Sequence, residues 1–394
     1  MDLLSDLYKK YTQNHITNFL VITLICLGYL FLAPSQGCPV DWDCNAYIQM
    51  VDSLAYDPAL LPHHAMRILP ALIVRGFVHI LGLSIEQGFN LLSGLSYFLF
   101  SMGFYFLLNT NTKPHTKIFT LGMTLLAMAS HHAVIQALVN VYQSTDALTY
   151  PIVLGLFYFT YYQKQFHWVF ILTLIGLITR QNLFFMGELC LIFGLISHKK
   201  KVNLLYIILA GIAYQLLVSY YHAGDILLAS ITPVPYFFTP EHILYVIQDS
   251  GLLNLIIPIM PIALWVTKDL LIFYFKNWYM LLYAGITVGQ PFLSYHLTGN
   301  NFERIAMQGI WPLYLITGML FYEKYLKNNT NPLMCFLLLF YSGSLLWIMK
   351  FVPVVAEPLR LGLSVFLGLL LLSAFLALRK QKHSNYNIKK DATN

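Results

Sequence analysis

The sequence predicts an all-α polytopic membrane protein with about 12 transmembrane helices and one further juxtamembrane helix on the extracytoplasmic surface. Three observations lead there. Hydrophobic residues make up 58% of the 394-residue chain and charged residues only 10%, a balance that a water-soluble globule of this size does not show. Apolar runs near the length needed to cross a bilayer, about 20 residues, recur from end to end. Polar irregular segments are confined to short connections between them, as lipid requires of a backbone it cannot hydrogen-bond. The expected organisation is one polytopic domain over residues 1–378, with a first extracytoplasmic loop at 34–87, and a cytoplasmic polar tail at 379–394.

The first apolar run, Ile16 to Ala33, follows the basic pair Lys9-Lys10 as a signal sequence would. It is long enough to span, and Pro34 rather than a cleavage site follows it, so a retained anchor is expected. The later spans fall at roughly 88–108, 118–136, 147–163, 167–181, 182–197, 202–220, 251–267, 278–296, 305–322, 333–350 and 358–378.

Arg67 to Leu83 is ambiguous, being apolar enough to span yet carrying Arg67, Arg75 and His79. Whether it crosses decides the orientation of everything after it. If it lies flat on the outer surface, Lys113, Lys117, Lys164, Lys199 to Lys201, Lys268, Lys276, Lys324 and Lys327 all fall inside, and only Lys350 stays outside. If it spans, most of them land outside, against the positive-inside rule. The expected topology is therefore the flat helix, with both termini cytoplasmic in a bacterial inner membrane.

Composition also excludes some readings. Cys26, Cys190 and Cys335 lie within apolar runs, which leaves only Cys38 and Cys44 able to pair and rules out a disulfide framework. The net charge of +6 does not indicate nucleic acid, because the lysines are spread over many short loops and form no single basic face. No repeat of fixed period is visible.

Arginine follows a different rule from lysine. In the expected topology Arg67, Arg75, Arg180, Arg304 and Arg360 lie at or near the outer face, and only Arg379 is cytoplasmic. Arginine binds phosphate through a planar fork and stays charged when partly desolvated, so a cluster on the side that disfavours positive charge invites a functional reading. The alternative is pairing with outer carboxylates such as Glu303 and Glu357. Four pieces accompany the arginines on that face: an acidic loop with Asp41, Asp43, Asp52 and Asp57, the stretch His63-His64-Ala65-Met66-Arg67-Ile68-Leu69-Pro70, Gln143-Ser144-Thr145-Asp146, and Thr179-Arg180-Gln181-Asn182. Gly299-Asn300-Asn301-Phe302-Glu303-Arg304 stands at the mouth of a later span, and His131, His132, His222 and His296 are expected on the same side.

Each piece also has an ordinary reading. Asp41 and Asp43 could be solvated loop acids. Asp146 could cap the span that begins at Ala147. Glu188, inside an apolar run, reads as a paired structural acid in preference to a pathway residue. His63 and His64 could ligate a divalent cation beside a nearby aspartate, although adjacent loop histidines are more often polar surface; the metal requirement stays open.

In this order the pieces resemble the GT-C class of membrane glycosyltransferases, the polyprenyl-phosphate-sugar-dependent enzymes that include protein mannosyltransferases and lipid A aminoarabinose transferases. The resemblance covers roughly the first 200 residues: an anchor span, an acidic outer loop with Asp43-x-x-x-Tyr47, Arg67-x-x-x-Pro70 at the entry to a juxtamembrane helix, Asp146, and Thr179-Arg180-Gln181-Asn182. It implies an inverting transfer of a sugar from a polyprenyl-phosphate donor to a periplasmic glycan, lipid or protein acceptor. Asp43, or its neighbour Asp41, would be the catalytic carboxylate. Arg304, Arg180 and Arg67 would hold the donor phosphate, with Tyr47, Asp146, His63 and His64 in support. Elementary chemistry agrees with that set, since such a transfer needs a carboxylate for the acceptor proton and cations for the departing phosphate.

Two rival readings remain. An O-antigen-type polymerase would carry its main arginines in a large second-half loop, and 221–250 has none. A transporter or flippase would favour midplane charges and related halves with paired broken helices, and neither is visible in the sequence.

Overall fold

The structure is a computed structural model that describes residues 15–32, 44–53, 66–110, 117–129, 144–221, 239–240, 255–293, 302–327, 331–351 and 357–391. It is all-α. In chain order the helices are α1 (His15–Leu32), α2 (Cys44–Ser53), α3 (Ile68–Leu81), α4 (Ile85–Thr110), α5 (Lys117–Ala129), α6 (Ser144–Phe157) and α7 (Phe166–Leu177). They continue as α8 (Gln181–Ser197), α9 (Val202–Tyr220), α10 (Thr267–Lys276), α11 (Trp278–Leu293), α12 (Phe302–Phe321), α13 (Pro332–Phe351) and α14 (Glu357–Asp391). Wider π turns, Tyr158–Gln163 and Tyr322–Leu326, prolong α6 and α12.

Among the described residues three helices are long and apolar enough to cross a membrane: Ile85–Thr110, Val202–Tyr220 and Leu361–Leu378. They suggest a membrane location. The strongest sign is α9, which leaves Leu204, Leu205, Ile208, Ile212 and Leu216 exposed along its length. A continuous apolar face of this kind is costly in water and costs nothing in lipid. The centre of the bundle is aromatic, with Tyr97, Tyr105, Tyr150, Tyr279, Tyr283, Tyr314 and Trp311 all buried.

The ambiguous segment after Arg67 is α3. Its 14 residues reach about 21 Å at 1.5 Å per residue, short of the roughly 30 Å of hydrocarbon in a bilayer. Gly82, in the left-handed region at φ 66°, ends it by donating its N–H to the Val78 carbonyl. The Ser84 and Gln87 side chains then exchange hydrogen bonds with each other's backbone N–H (3.0 and 3.1 Å) and start α4 at once. A second tight hairpin joins α7 to α8, where the Thr179 and Arg180 N–H groups both donate to the Gly176 carbonyl.

Two segments depart from a run of continuous helices. Within the expected span at 251–267, residues 255–256 are helical, 257–259 form a turn, and a short helix Met260–Ala263 and a 3₁₀ turn Leu264–Val266 follow. Pro258 and Pro261 explain the break, since each removes a helical donor and crowds the preceding turn. The lysine-bearing connection after it is itself helical, as α10. At the other end of the chain, α14 continues as a helix into the polar tail from Arg379, as far as Asp391, through Ala-Leu-Arg-Lys-Gln-Lys with no glycine or proline to stop it.

The basic residues divide between the two ends of the bundle. The Lys164 and Lys200 charges both act on His198, whose imidazole is pushed below its ordinary range first by burial and then by those two lysines. Phe193 touches both His198 and Trp278, the latter next to Lys276 and Asn277, and Lys324 pairs with Asp269 at 2.7 Å. Phe119, beside Lys117, stacks on Phe321 at the start of the Lys324 turn. The lysine-bearing turns therefore share one end. Arg67, Arg75 and Arg180 share the other, as the contacts below establish.

Candidate functional site

The arginine end begins with α2. Tyr47, Met50 and Val51 recur at helical spacing and bury one face of α2 against Ala71 and Val74 of α3, Phe89 and Leu92 of α4, and Leu148 of α6. This packing fixes where Tyr47 stands. Nη1 of Arg67, the residue entering α3, donates to the Tyr47 hydroxyl at 2.7 Å. The Arg67 Nε is buried and has no hydrogen-bond partner among the described residues. Arg75 has a structural task, because its Nη1 donates to the carbonyls of Val51 and Asp52 (3.2 and 2.9 Å) and so caps the end of α2.

The same entry segment is bonded to the α7–α8 hairpin. Met66 is buried with Leu177, Phe184, Ala210 and Tyr221, and the Leu69 N–H donates to the Ile178 carbonyl at 3.0 Å. Arg67 and Arg180 are thereby held on one end of the bundle. Arg180 caps α8 in an extended conformation (φ −166°) and is only 8% exposed. Its charge reaches the buried phenol of Tyr283 on α11.

Two residues past Arg180, the Asn182 Nδ2 donates to the Gln308 Oε1 on α12. Gln308 is 0% exposed and stands one helical turn after Arg304. Its neighbour Gly309 lets α12 lie against α11: a Cβ there would come within 2.0 Å of the Thr287 hydroxyl and 2.8 Å of the Ala284 Cα. Asn182 Oδ1, Gln308 Nε2 and the Tyr283 hydroxyl are all buried without a hydrogen-bond partner among the described residues. Polar groups in that condition are costly and rare in folded chains.

Of the residues singled out in sequence, the structure brings Tyr47, Arg67 and the Thr179–Asn182 stretch to one end. The N-terminus of α6, which carries Asp146, joins them through Leu148. Asp146 reads from sequence as a cap or a site residue; α6 begins at Ser144, which puts Asp146 in its first turn, a place the helix dipole favours for an acid. Arg304 and Glu303 lie in the first turn of α12, where the backbone alone is described. Asp41, Asp43, His63 and His64 lie outside the described residues, as do His131, His132, His222 and His296. Glu188, expected to be a paired acid, has a buried Oε1 with no hydrogen-bond partner among the described residues. No group of three or more metal-ligating side chains occurs among the described residues.

Gln308 and Tyr283 escaped the sequence reading. Gln308 carried a usable signal as a lone polar residue inside the apolar run Ile305-Ala-Met-Gln-Gly-Ile-Trp311. Tyr283 carried none, being one of 27 tyrosines. No protein-family model matches the chain, and neither does any curated protein or solved structure.

Proposed function

We propose that the chain is a GT-C-like glycosyltransferase of the bacterial inner membrane, with about a dozen spans, both termini in the cytoplasm and its site facing the periplasm. It moves a sugar from a polyprenyl-phosphate donor to a periplasmic glycan, lipid or protein acceptor with inversion. One observation carries the reading: the Leu69–Ile178 backbone bond ties the segments of Arg67 and Arg180, more than 100 residues apart in sequence, to one end of the bundle, opposite the lysine turns, with buried polar groups that have no hydrogen-bond partner among the described residues on the Arg180 side. Arginine forks in a desolvated setting suit a lipid phosphate, and uncharged polar groups next to them suit a sugar. Asp43, directly before α2, is the proposed base, with Asp41 beside it.

The reading predicts that a deletion strain loses one sugar substituent from its envelope glycans, lipids or glycoproteins, and that the wild-type gene restores it. Mass-spectrometric profiles identical with and without the gene would refute it. The topology is tested separately. Positive-inside orientation of the lysine end puts Lys200 in the cytoplasm, so Lys200→Cys, with Cys38 and Cys44 replaced by serine, stays unlabelled by an impermeant thiol reagent in intact spheroplasts and labels after lysis. Labelling before lysis would turn the arginine end towards the cytoplasm and remove the periplasmic site.

A further inference from the structure

Resting on that glycosyltransferase reading, we propose that Asn182 and Gln308 form a sugar-recognition subsite for a neutral group that both donates and accepts a hydrogen bond, a hydroxyl or an acetamido group of the donor sugar. Each side-chain amide has one carbonyl oxygen and one NH₂ group. The single bond between them uses the Asn182 NH₂ and the Gln308 oxygen. What stays unpaired among the described residues is an acceptor, Asn182 Oδ1, and a donor, Gln308 Nε2. Exchanging oxygen and nitrogen in both amides, an assignment that coordinates alone do not distinguish, still leaves one acceptor and one donor. The inference does not depend on that choice.

The complement of such a pair is specific. A phosphate or carboxylate offers only acceptors and would face the Asn182 carbonyl oxygen with its negative charge. An ammonium group offers only donors and would leave the Gln308 NH₂ unpaired. A hydroxyl or a secondary amide satisfies both at once. The position agrees with this division of labour, since the pair begins two residues after the buried Arg180 and one turn after Arg304 on α12. An anion at the arginines and a neutral donor-acceptor group further along the same two helices together describe a sugar joined to a phosphate. Burial raises the cost of leaving these atoms unpaired, because Gln308 is 0% exposed.

The test uses the full-length protein in lipid nanodiscs and three probes: bare polyprenyl phosphate, a polyprenyl-phosphate hexose and a polyprenyl-phosphate N-acetylhexosamine. Binding is read by thermal melting over a lipid titration. The wild type is expected to bind at least one sugar-bearing lipid about tenfold or more tighter than the bare phosphate, since a site built to hydrogen-bond a group discriminates strongly against its absence. Which of the two sugars binds tighter decides between hydroxyl and acetamido recognition. The double variant Asn182→Leu with Gln308→Met replaces both amides by apolar side chains of similar size, so it should melt at or above the wild-type temperature without lipid. It should bind the sugar-bearing lipids no better than bare phosphate. If the double variant does not fold, Gln308→Met alone is read in the same way. A variant that keeps the sugar preference overturns the subsite. So does a wild type that binds bare phosphate and gains nothing from the sugar, an outcome that leaves the phosphate-lipid reading standing. A wild type that responds to none of the three probes overturns both.

Discussion

Asp43→Asn is expected to abolish sugar transfer by roughly 10²-fold or more while the protein folds and inserts normally, because the amide keeps the shape of the carboxylate and cannot take a proton. Asp43 directly precedes Cys44, the first residue of α2, and Tyr47 follows within the first turn. Tyr47 is held from both sides, its ring in the α2–α3–α4 packing and its hydroxyl by Arg67. Orientation of a proposed base beside so fixed a residue would supply much of the rate in a transfer reaction. Asp41→Asn should cost less. The measurement is transfer by both purified variants in nanodiscs at matched melting temperature. An active Asp43→Asn beside a dead Asp41→Asn would exchange the two roles. Two active variants would remove the first loop from the mechanism.

Arg180→Lys and Arg304→Lys should each reduce donor turnover by about 10- to 100-fold with protein abundance near normal. A hydrogen bond to a charged group contributes about 1.5–3 kcal/mol, and each 1.4 kcal/mol is about a factor of ten in binding. Lysine keeps the charge and loses the planar two-donor fork, so the loss reports geometry rather than net charge. Arg180 is the sharper test because it is almost fully buried. The expected signature is a higher KM for the polyprenyl-phosphate donor at full melting stability. An arginine that merely braced the α7–α8 hairpin would show lost activity in step with lost folded protein. Full activity of either lysine variant would remove that residue from the phosphate clamp.

Much of the candidate site was legible residue by residue. Arg67 and Arg180 stood out as arginines on the face expected to disfavour positive charge, and Tyr47 through the Asp43-x-x-x-Tyr47 element of the resemblance. Arg75 stood out for the same reason and proved to cap α2, since sequence pattern cannot distinguish a guanidinium that meets helix carbonyls from one that awaits a ligand. Gln308 and Tyr283 were missed because a polar side chain inside an apolar helix shows its purpose only when the neighbouring helix is known. For Glu188 the expectation of a partner came from the general cost of burying charge, and its Oε1 has no hydrogen-bond partner among the described residues.

The sequence by itself determined the class of the protein. Hydrophobic composition and the length of the apolar runs demand helices, because a backbone in lipid can satisfy its hydrogen bonds only within itself. Lysine placement along the chain carried the expected orientation through the positive-inside rule. Only the tertiary structure decided which distant residues meet. The Leu69–Ile178 backbone bond, the Arg67–Tyr47 bond and the Asn182–Gln308 pair join segments up to 126 residues apart. No local propensity encodes such pairings, because they follow from the way short hairpins and glycine contacts such as Gly309 against Ala284 let the helices pack.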